Sequence, residues 1–417
     1  MRYLIYTETF PSRVAADVRQ TGIGRYCADL ASGLSALGHH VTVATNAGIG
    51  LEPAREPFPV QILGPVPASR LELVRRATQL RRLIGAERAD IVLVGDLLAH
   101  RTVGSLGGAV GAPYCPIFYG TELAVWLAGL KRPLGPLRRA WIGWYVRRSQ
   151  ASICISRYAQ SLLHQLASRQ RRECIVYPCV SELCLTLPER PDVTAEIRHR
   201  LTGAPQRSLL LLTVARISER KNQLGVLHAL ARLHASSEFR FHYLVLGNLD
   251  SERHRPYLQQ LRSYADSHGL GESLTVVENT TDEEKVRYLD ACDTFIMLSQ
   301  TVGSSVEGFG ISVIEAASRG KPVVVSDQGG MPETVLDGVT GFSVPPADSA
   351  RVADVLATLA RHPGRRAAMG SAGRDFTLRH FTPRVSAGLL HGQLFEQLAG
   401  SLAGRRNPIS ASASKDL

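Results

Sequence analysis

Two short stretches in the second half of the chain have the residue types and spacing to hold an anionic, hydroxyl-rich ligand. The first is Ala215-Arg216-Ile217-Ser218-Glu219-Arg220-Lys221-Asn222, which follows the apolar run 209–214 and leads into a predicted helix near Asn222. Arg216 and Lys221 put two cations at a helix start, where unpaired amides also attract an anion. The chain strongly prefers arginine, with only five lysines among its 48 basic residues, so Lys221 stands out at that place. On the spacing alone, a surface charge pair is the alternative reading. The second stretch is Val306-Glu307-Gly308-Phe309-Gly310-Ile311-Ser312-Val313-Ile314-Glu315, a loop running into a helix from about Ile311. Gly308 and Gly310 let backbone approach a ligand closely, and the helix start offers free N–H groups to phosphate. Glu315 falls about one turn into that helix, so its carboxylate returns to the same pocket. Carboxylates beside sugar hydroxyls make charge-assisted hydrogen bonds of about 1.5–3 kcal/mol each.

Such groups need strands to carry them to one edge. Nearly continuous apolar runs at 3–6, 41–44, 60–63, 91–94, 114–118, 152–155 and 174–177 predict one set of strands, and those at 209–214, 241–246, 274–277, 295–298 and 323–326 a second. A last strand-like piece at 341–344 closes the second set. Runs without alternation suit parallel strands covered on both faces, and amphipathic segments such as 26–37 and 224–234 supply the crossover helices. The fold class is α/β, with two doubly wound Rossmann-like domains whose ligands bind beyond the strand ends, in the crevice between them. The expected boundaries are 1–186 for the acceptor-binding domain, 187–206 for a proline-bearing linker, and 207–380 for the nucleotide-sugar-binding domain. Residues 381–400 form a C-terminal helix expected to return to the first domain, and 401–417 a disordered tail.

The glutamate-bearing segment resembles the E-x7-E signature of retaining glycosyltransferases of the GT-B fold, family 4 (glycosyl transferases group 1). Landmarks around it agree in order: Thr213-Val214-Ala215-Arg216, Lys221-Asn222, Leu246-Gly247-Asn248, Ala291-Cys292-Asp293, Gly320-Lys321-Pro322, Gly329-Gly330-Met331-Pro332-Glu333 and Gly338-Val339-Thr340-Gly341-Phe342. The resemblance implies that Arg216 and Lys221 hold the diphosphate of a nucleotide-sugar and that Glu307 takes a sugar hydroxyl, these three being the catalytic candidates. By the same resemblance the backbone of Gly308, Phe309, Gly310 and Ile311 meets sugar and phosphate, and Glu315 takes ribose hydroxyls. Gly247, Asn248 and Glu278 lie where the donor and its base are expected. No Asp-x-Asp occurs, so no metal and no other cofactor is expected. Electrostatic stabilisation of the departing diphosphate would carry the chemistry.

The first half is less sharply marked. Thr21-Gly22-Ile23-Gly24-Arg25-Tyr26 resembles the family's first glycine loop, which makes Gly24 a donor-binding candidate. It is not a dinucleotide fingerprint, because Cys27 stands at the third glycine position. Tyr119-Gly120-Thr121-Glu122 departs from many relatives, which carry histidine before that glycine. Tyr119 and Glu122 are candidates for a sugar or acceptor contact. Tyr119 cannot act as a base near neutral pH, and simple packing is its other reading. His100 reads as a structural or cleft-edge histidine.

The net charge of +11 is concentrated in the first half: residues 1–185 hold 22 Lys and Arg against 12 Asp and Glu, and the rest 26 against 25. Arg138, Arg139, Trp141, Trp144, Arg147 and Arg148 gather on one predicted helix, a mixture that suits an anionic lipid surface. A solvated basic helix over core tryptophans is the alternative. Apolar runs are far too short to span a bilayer, and no leader-like segment opens the sequence. The seven cysteines match no common zinc spacing and read as buried thiols. The expected protein is a cytoplasmic enzyme, peripheral at the inner face of the membrane, that transfers hexose from a nucleotide-sugar to a lipid-linked or oligosaccharide acceptor. Nucleic acid is not expected as a partner. A nucleotide-sugar-binding relative without activity, or an epimerase of the same fold, are the rival readings.

Overall fold

The computed structural model describes residues 1–10, 22–46, 56–106, 110–131, 133–167, 172–203, 208–236, 239–249 and 251–405. Strands β1 (Arg2–Tyr6), β2 (His40–Thr45), β3 (Val60–Ile62), β4 (Ile91–Val94), β5 (Tyr114–Phe118), β6 (Ser152–Cys154) and β7 (Glu173–Ile175) form one sheet in the order β3-β2-β1-β4-β5-β6-β7. A second sheet contains β8 (Ser208–Val214), β9 (Arg240–Leu246), β10 (Leu274–Val277), β11 (Thr294–Met297), β12 (Val323–Ser326) and β13 (Gly341–Val344), in the order β10-β9-β8-β11-β12-β13. Every pairing is parallel. Central strands such as Ile91-Val92-Leu93-Val94 are buried at every residue, as their unbroken apolar runs require. Each sheet reverses its winding beside its first strand, β1 against β4 and β8 against β11, and this reversal opens a crevice at the strand ends.

Helix starts are set by local capping. Ser69 and Glu72 form a capping box for the helix Arg70–Glu87, and Thr281 and Glu284 form one for Asp282–Ala291. The last helix, Pro383–Arg405, lies against the helix Gly22–Ala36 of the first half, so closely that a Cβ on Gly33 would stand 2.2 Å from the Pro383 carbonyl oxygen. Tyr3 Oη and His391 Nδ1 are 2.8 Å apart, which ties the same helix to β1. This helix continues through Arg405 rather than ending before Ser401, and the rest of the expected tail, 406–417, lies outside the described residues. Tyr177, Phe309 and Phe381 touch edge to face or tilted, with centroids 5.5 to 5.6 Å apart, and carry the apolar core of the first half into the second.

Candidate active site

The loop after β8 folds its cations inward. Asn222 takes a left-handed φ of 51° and its Oδ1 accepts from the Gly225 amide at 3.2 Å, which turns the loop into the helix Gln223–Ser236. Lys221, just before the turn, is thereby aimed at the loop after β11. Its Nζ lies 2.5 Å from Glu307 Oε2, and Arg220 Nη1 lies 2.6 Å from the same oxygen. Ser299 Oγ donates to it at 3.3 Å. Burial pushes the Glu307 carboxyl up, but Lys221 and Arg220 outweigh it and the net shift is downward, so the group is ionised. For Lys221, burial together with the nearby charges of Arg220 and Arg216 outweighs the pull of Glu307, and its affinity for a proton falls. Two cations share one oxygen of one carboxylate, so among these three groups positive charge is in excess. An added anion is attracted there. Contacts to Glu307 converge on Oε2, which leaves Oε1 to accept from a hydroxyl.

The turn that follows offers donors. Among the described residues no acceptor takes the amide hydrogens of Phe309, Gly310, Ile311 or Ser312, at the start of the helix Ile311–Ser318. These four N–H groups and the cations above form a cradle suited to phosphate and sugar oxygens. The turn is tightly backed. A Cβ on Gly308 would lie 1.8 Å from the Tyr119 carbonyl oxygen, and one on Gly330 would lie 2.0 Å from the Gly308 oxygen. Gly22, which opens the helix Gly22–Ala36, brings the first turn of that helix against Ile311, where an added Cβ would sit 3.7 Å from Ile311 Cδ1. Gly24 is buried within the same first turn. Thr21 of the glycine motif lies outside the described residues.

Glu315 is buried, and Lys285 Nζ holds its Oε1 at 2.9 Å. Lys285 also reaches Asp282 at 3.3 Å, and Arg25 of the first half bridges Asp282 at 3.3 Å and Asp29 at 3.2 Å. Gly247 lies so near Ala215 that a Cβ would stand 1.8 Å from its carbonyl oxygen, while Asn248 Oδ1 accepts from the Asn279 amide at 2.6 Å. Glu278 is exposed beside them. Lys221 and Glu307 thus meet across the loops that follow β8 and β11, Gly308, Gly310 and Ile311 lie on the turn just after Glu307, and Glu315 is held apart by Lys285.

The roles expected of the Tyr119 hydroxyl, Glu122 and Trp141 are corrected, while His100 has the structural place read for it and Phe309 offers its backbone alone. The Phe309 ring is buried between Tyr177 and Phe381, so only its backbone is available to a ligand. Tyr119 is buried with its ring against Tyr26 and its hydroxyl 3.5 Å from Cys27 Sγ; the carbonyl, not the phenol, faces the turn. The Glu122 carboxylate accepts from the Tyr119 amide at 2.5 Å, and burial pushes its pKa up to about 7, so it serves its own helix start rather than an acceptor. His100 is enclosed, with Nε2 3.0 Å from the Ile117 carbonyl and Nδ1 3.1 Å from Tyr145 Oη. Trp141 faces inward, stacked on Tyr145 at 5.5 Å and edge-on to Trp126, and half-buried Trp144 lies under Arg148. On that helix, Gly135–Arg148, Leu137 is the large exposed apolar side chain, with Leu134 exposed just before it, amid exposed Arg138, Arg139, Arg147 and Arg148. The sequence reading passed over Arg220, Ser299, Lys285 and Arg25, each of which adjoins a motif that drew attention.

Residues 195–376 match the family described as Glycosyl transferases group 1, and residues 21–179 the one described as Glycosyl transferase 4-like domain. A GDP-mannose-dependent alpha-(1-6)-phosphatidylinositol monomannoside mannosyltransferase of Mycolicibacterium smegmatis is 33% identical over 218 residues, 52% of this chain and 53% of that protein. Human alpha-1,3/1,6-mannosyltransferase ALG2 is 30% identical over 185 residues, 43% of each. The matched part spans about half the length of these curated relatives, or less. Among solved structures, a glycosyltransferase from Rickettsia africae superimposes with a TM-score of 0.77 at 17% identity, covering 95% of this chain and 98% of that one. Anabaena Alr3699/HepE in complex with UDP-glucose gives 0.73 at 18% identity, covering 96% and 100%. These likenesses extend the two-sheet architecture over nearly the whole length, and the sequence matches fall on both halves of it. The chain belongs to family 4 of the GT-B glycosyltransferases, the glycosyl transferases group 1.

Proposed function

We propose that the chain is a retaining, metal-independent glycosyltransferase that moves a hexose from a UDP- or GDP-linked donor to a lipid-linked or glycan acceptor. The observation that carries the reading is the corner at Glu307, where Arg220 and Lys221 meet one carboxylate oxygen just before a turn whose amides at 309–312 have no acceptor among the described residues. Departure of a nucleoside diphosphate leaves negative charge on its terminal phosphate. Cations and amides fixed in advance stabilise that charge without reorganising. Glu307 Oε1 would accept from a sugar hydroxyl, and Glu315, held by Lys285, would accept from the ribose. Relatives named for GDP-mannose-dependent transfer to phosphatidylinositol mannosides support a nucleotide-sugar donor and a lipid-borne acceptor.

Membrane association is part of the proposal. No helix among the described residues is long and apolar enough to cross a membrane. Leu134 and Leu137, 70% and 69% exposed, stand at the start of a helix that also exposes Arg138, Arg139, Arg147 and Arg148, a composition suited to shallow insertion among anionic headgroups. The helix Arg70–Glu87 offers a second such face, with Leu71 and Val74 exposed beside Arg70 and Arg75.

The test is release of nucleoside diphosphate from UDP- and GDP-hexoses in the presence of a bacterial lipid extract, with the anomeric configuration of the product read by NMR and the assay repeated in EDTA. Acceptor-dependent release, retained configuration and persistence in EDTA are expected. Donor binding with no turnover would favour a non-catalytic relative, and donor conversion without acceptor an epimerase; either outcome overturns the proposal.

A further inference from the structure

The start of the helix Arg157–Leu166 in the first half is capped from across the cleft. Ser156 is its N-cap, with Oγ 3.0 Å from the Ala159 amide that donates to it, and that same Oγ donates to the Gly308 carbonyl oxygen at 2.7 Å. The next two free amides of the helix, on Arg157 and Tyr158, donate to Glu333 Oε2 at 2.8 Å and Oε1 at 3.0 Å. Tyr177 Oη donates to Glu333 Oε2 at 3.0 Å. Capping groups normally come from the residues just before a helix. Glu333 instead comes from the other half of the chain, and its negative charge meets the positive end of the helix dipole.

Glu333 and the glycine turn move as one piece. The Gly330 amide donates to the Glu307 carbonyl at 2.9 Å, and neither Gly329 nor Gly330 has room for a Cβ against the backbone of 307–308. A dock at Glu333 therefore fixes the turn. The Ser156 bond has a sharper consequence. In a trans peptide the C=O and the following N–H point in opposite directions. Holding the Gly308 carbonyl toward Ser156 turns the Phe309 N–H the other way, and that is one of the four unpaired amides of the cradle.

We infer that Ser156 and Glu333 are positioning residues: they lock the two halves together at the helix Arg157–Leu166 and orient the 308–309 peptide so that its N–H faces the donor. The inference deepens the proposed function and rests on it for its kinetic consequences, while the lock itself is independent of any activity. Lys221, Arg220 and the amides at 310–312 do not depend on the dock, so nucleotide affinity changes little without it, while turnover needs the Phe309 N–H in place as charge develops on the departing phosphate.

The experiment uses the full chain and the variants Ser156→Ala, Ser156→Thr, Glu333→Gln and the double variant Ser156→Ala/Glu333→Gln. Calorimetry with the nucleoside diphosphate that the wild type prefers is expected to give affinities within about twofold of wild type, while kcat falls by at least about tenfold in Ser156→Ala and Glu333→Gln. Ser156→Thr, which keeps the hydroxyl, is expected to recover most of the kcat. The double variant is expected to be no worse than the poorer single one, since both act through one dock. Unchanged kcat in both single variants would overturn the inference, as would kcat and affinity falling together without rescue by threonine. Small-angle scattering without ligand separates the lock from the enzyme reading. Should the wild type prove inert with every donor, a larger radius of gyration for Glu333→Gln than for wild type would still support the lock, and identical curves would sink it.

Discussion

At the level of single residues, the types were legible and their partners were not. Arg216, Lys221, Glu307 and Glu315 stood out through the family motif they resemble, since on spacing alone the two cations could equally be a surface pair. That Arg220 shares Glu307 with Lys221 depends on an 86-residue separation closed by the sheet, and no local pattern carries it. Glu122 shows the opposite error: a carboxylate near the cleft in sequence turns out to cap its own helix start. Its folded pKa is raised from 4.5 to about 7, chiefly by burial. The folded chain therefore binds this proton more tightly than the unfolded one, so the contribution is complete below 4.5 and is lost as pH rises through about 7. Glu122→Gln keeps the acceptor for the Tyr119 amide and removes the titration. Urea unfolding at about pH 5 and about pH 8 should show wild type losing more stability between the two than Glu122→Gln does. Equal losses would contradict the assignment.

Elements were the most readable level. The thirteen strands of the described residues overlap the largely apolar runs that predict them, because a parallel strand covered on both faces admits little else, and the exposed edge strand Val60–Ile62 with its Gln61 is the exception. The direction a side chain faces was harder. Trp141 was read with the arginines of a lipid-facing patch, yet its ring packs against the core on Tyr145, since burial is decided by which helices arrive from elsewhere in the chain. The turn 308–310 is the element on which the site depends, and Gly308 is its tightest point. Gly308→Ala would place a methyl 1.8 Å from the Tyr119 carbonyl oxygen, a clash with backbone that only separation of the two halves relieves. It is expected to cost about 1–3 kcal/mol in unfolding measurements and to remove most turnover. A variant as stable and as active as wild type would show that the turn is not held against the first half.

For the whole molecule, the uneven charge of the sequence becomes a surface. The basic half carries the exposed leucine and arginine face at Gly135–Arg148, while the donor corner sits in the nearly neutral half and at the cleft. The proposed lipid face and the proposed nucleotide site thus lie in separate regions and should separate by mutation. Replacing Arg138, Arg139, Arg147 and Arg148 by Glu is expected to release the protein from vesicles containing anionic lipid in a sedimentation assay and to leave nucleotide affinity intact. Unchanged partition would remove the membrane from the account. Adding salt should weaken the wild-type partition, as screening of a charge-driven contact requires.

The claim on which the rest depends is that Lys221, Arg220 and the amides at 309–312 together hold a diphosphate. Titration calorimetry of UDP, GDP and ADP against wild type and Lys221→Ala addresses it most directly. One of these nucleotides should bind the wild type at a single site, and Lys221→Ala should lose at least about tenfold in affinity, the equivalent of about 1.4 kcal/mol. No binding of any of the three, or equal affinity in the variant, would contradict it.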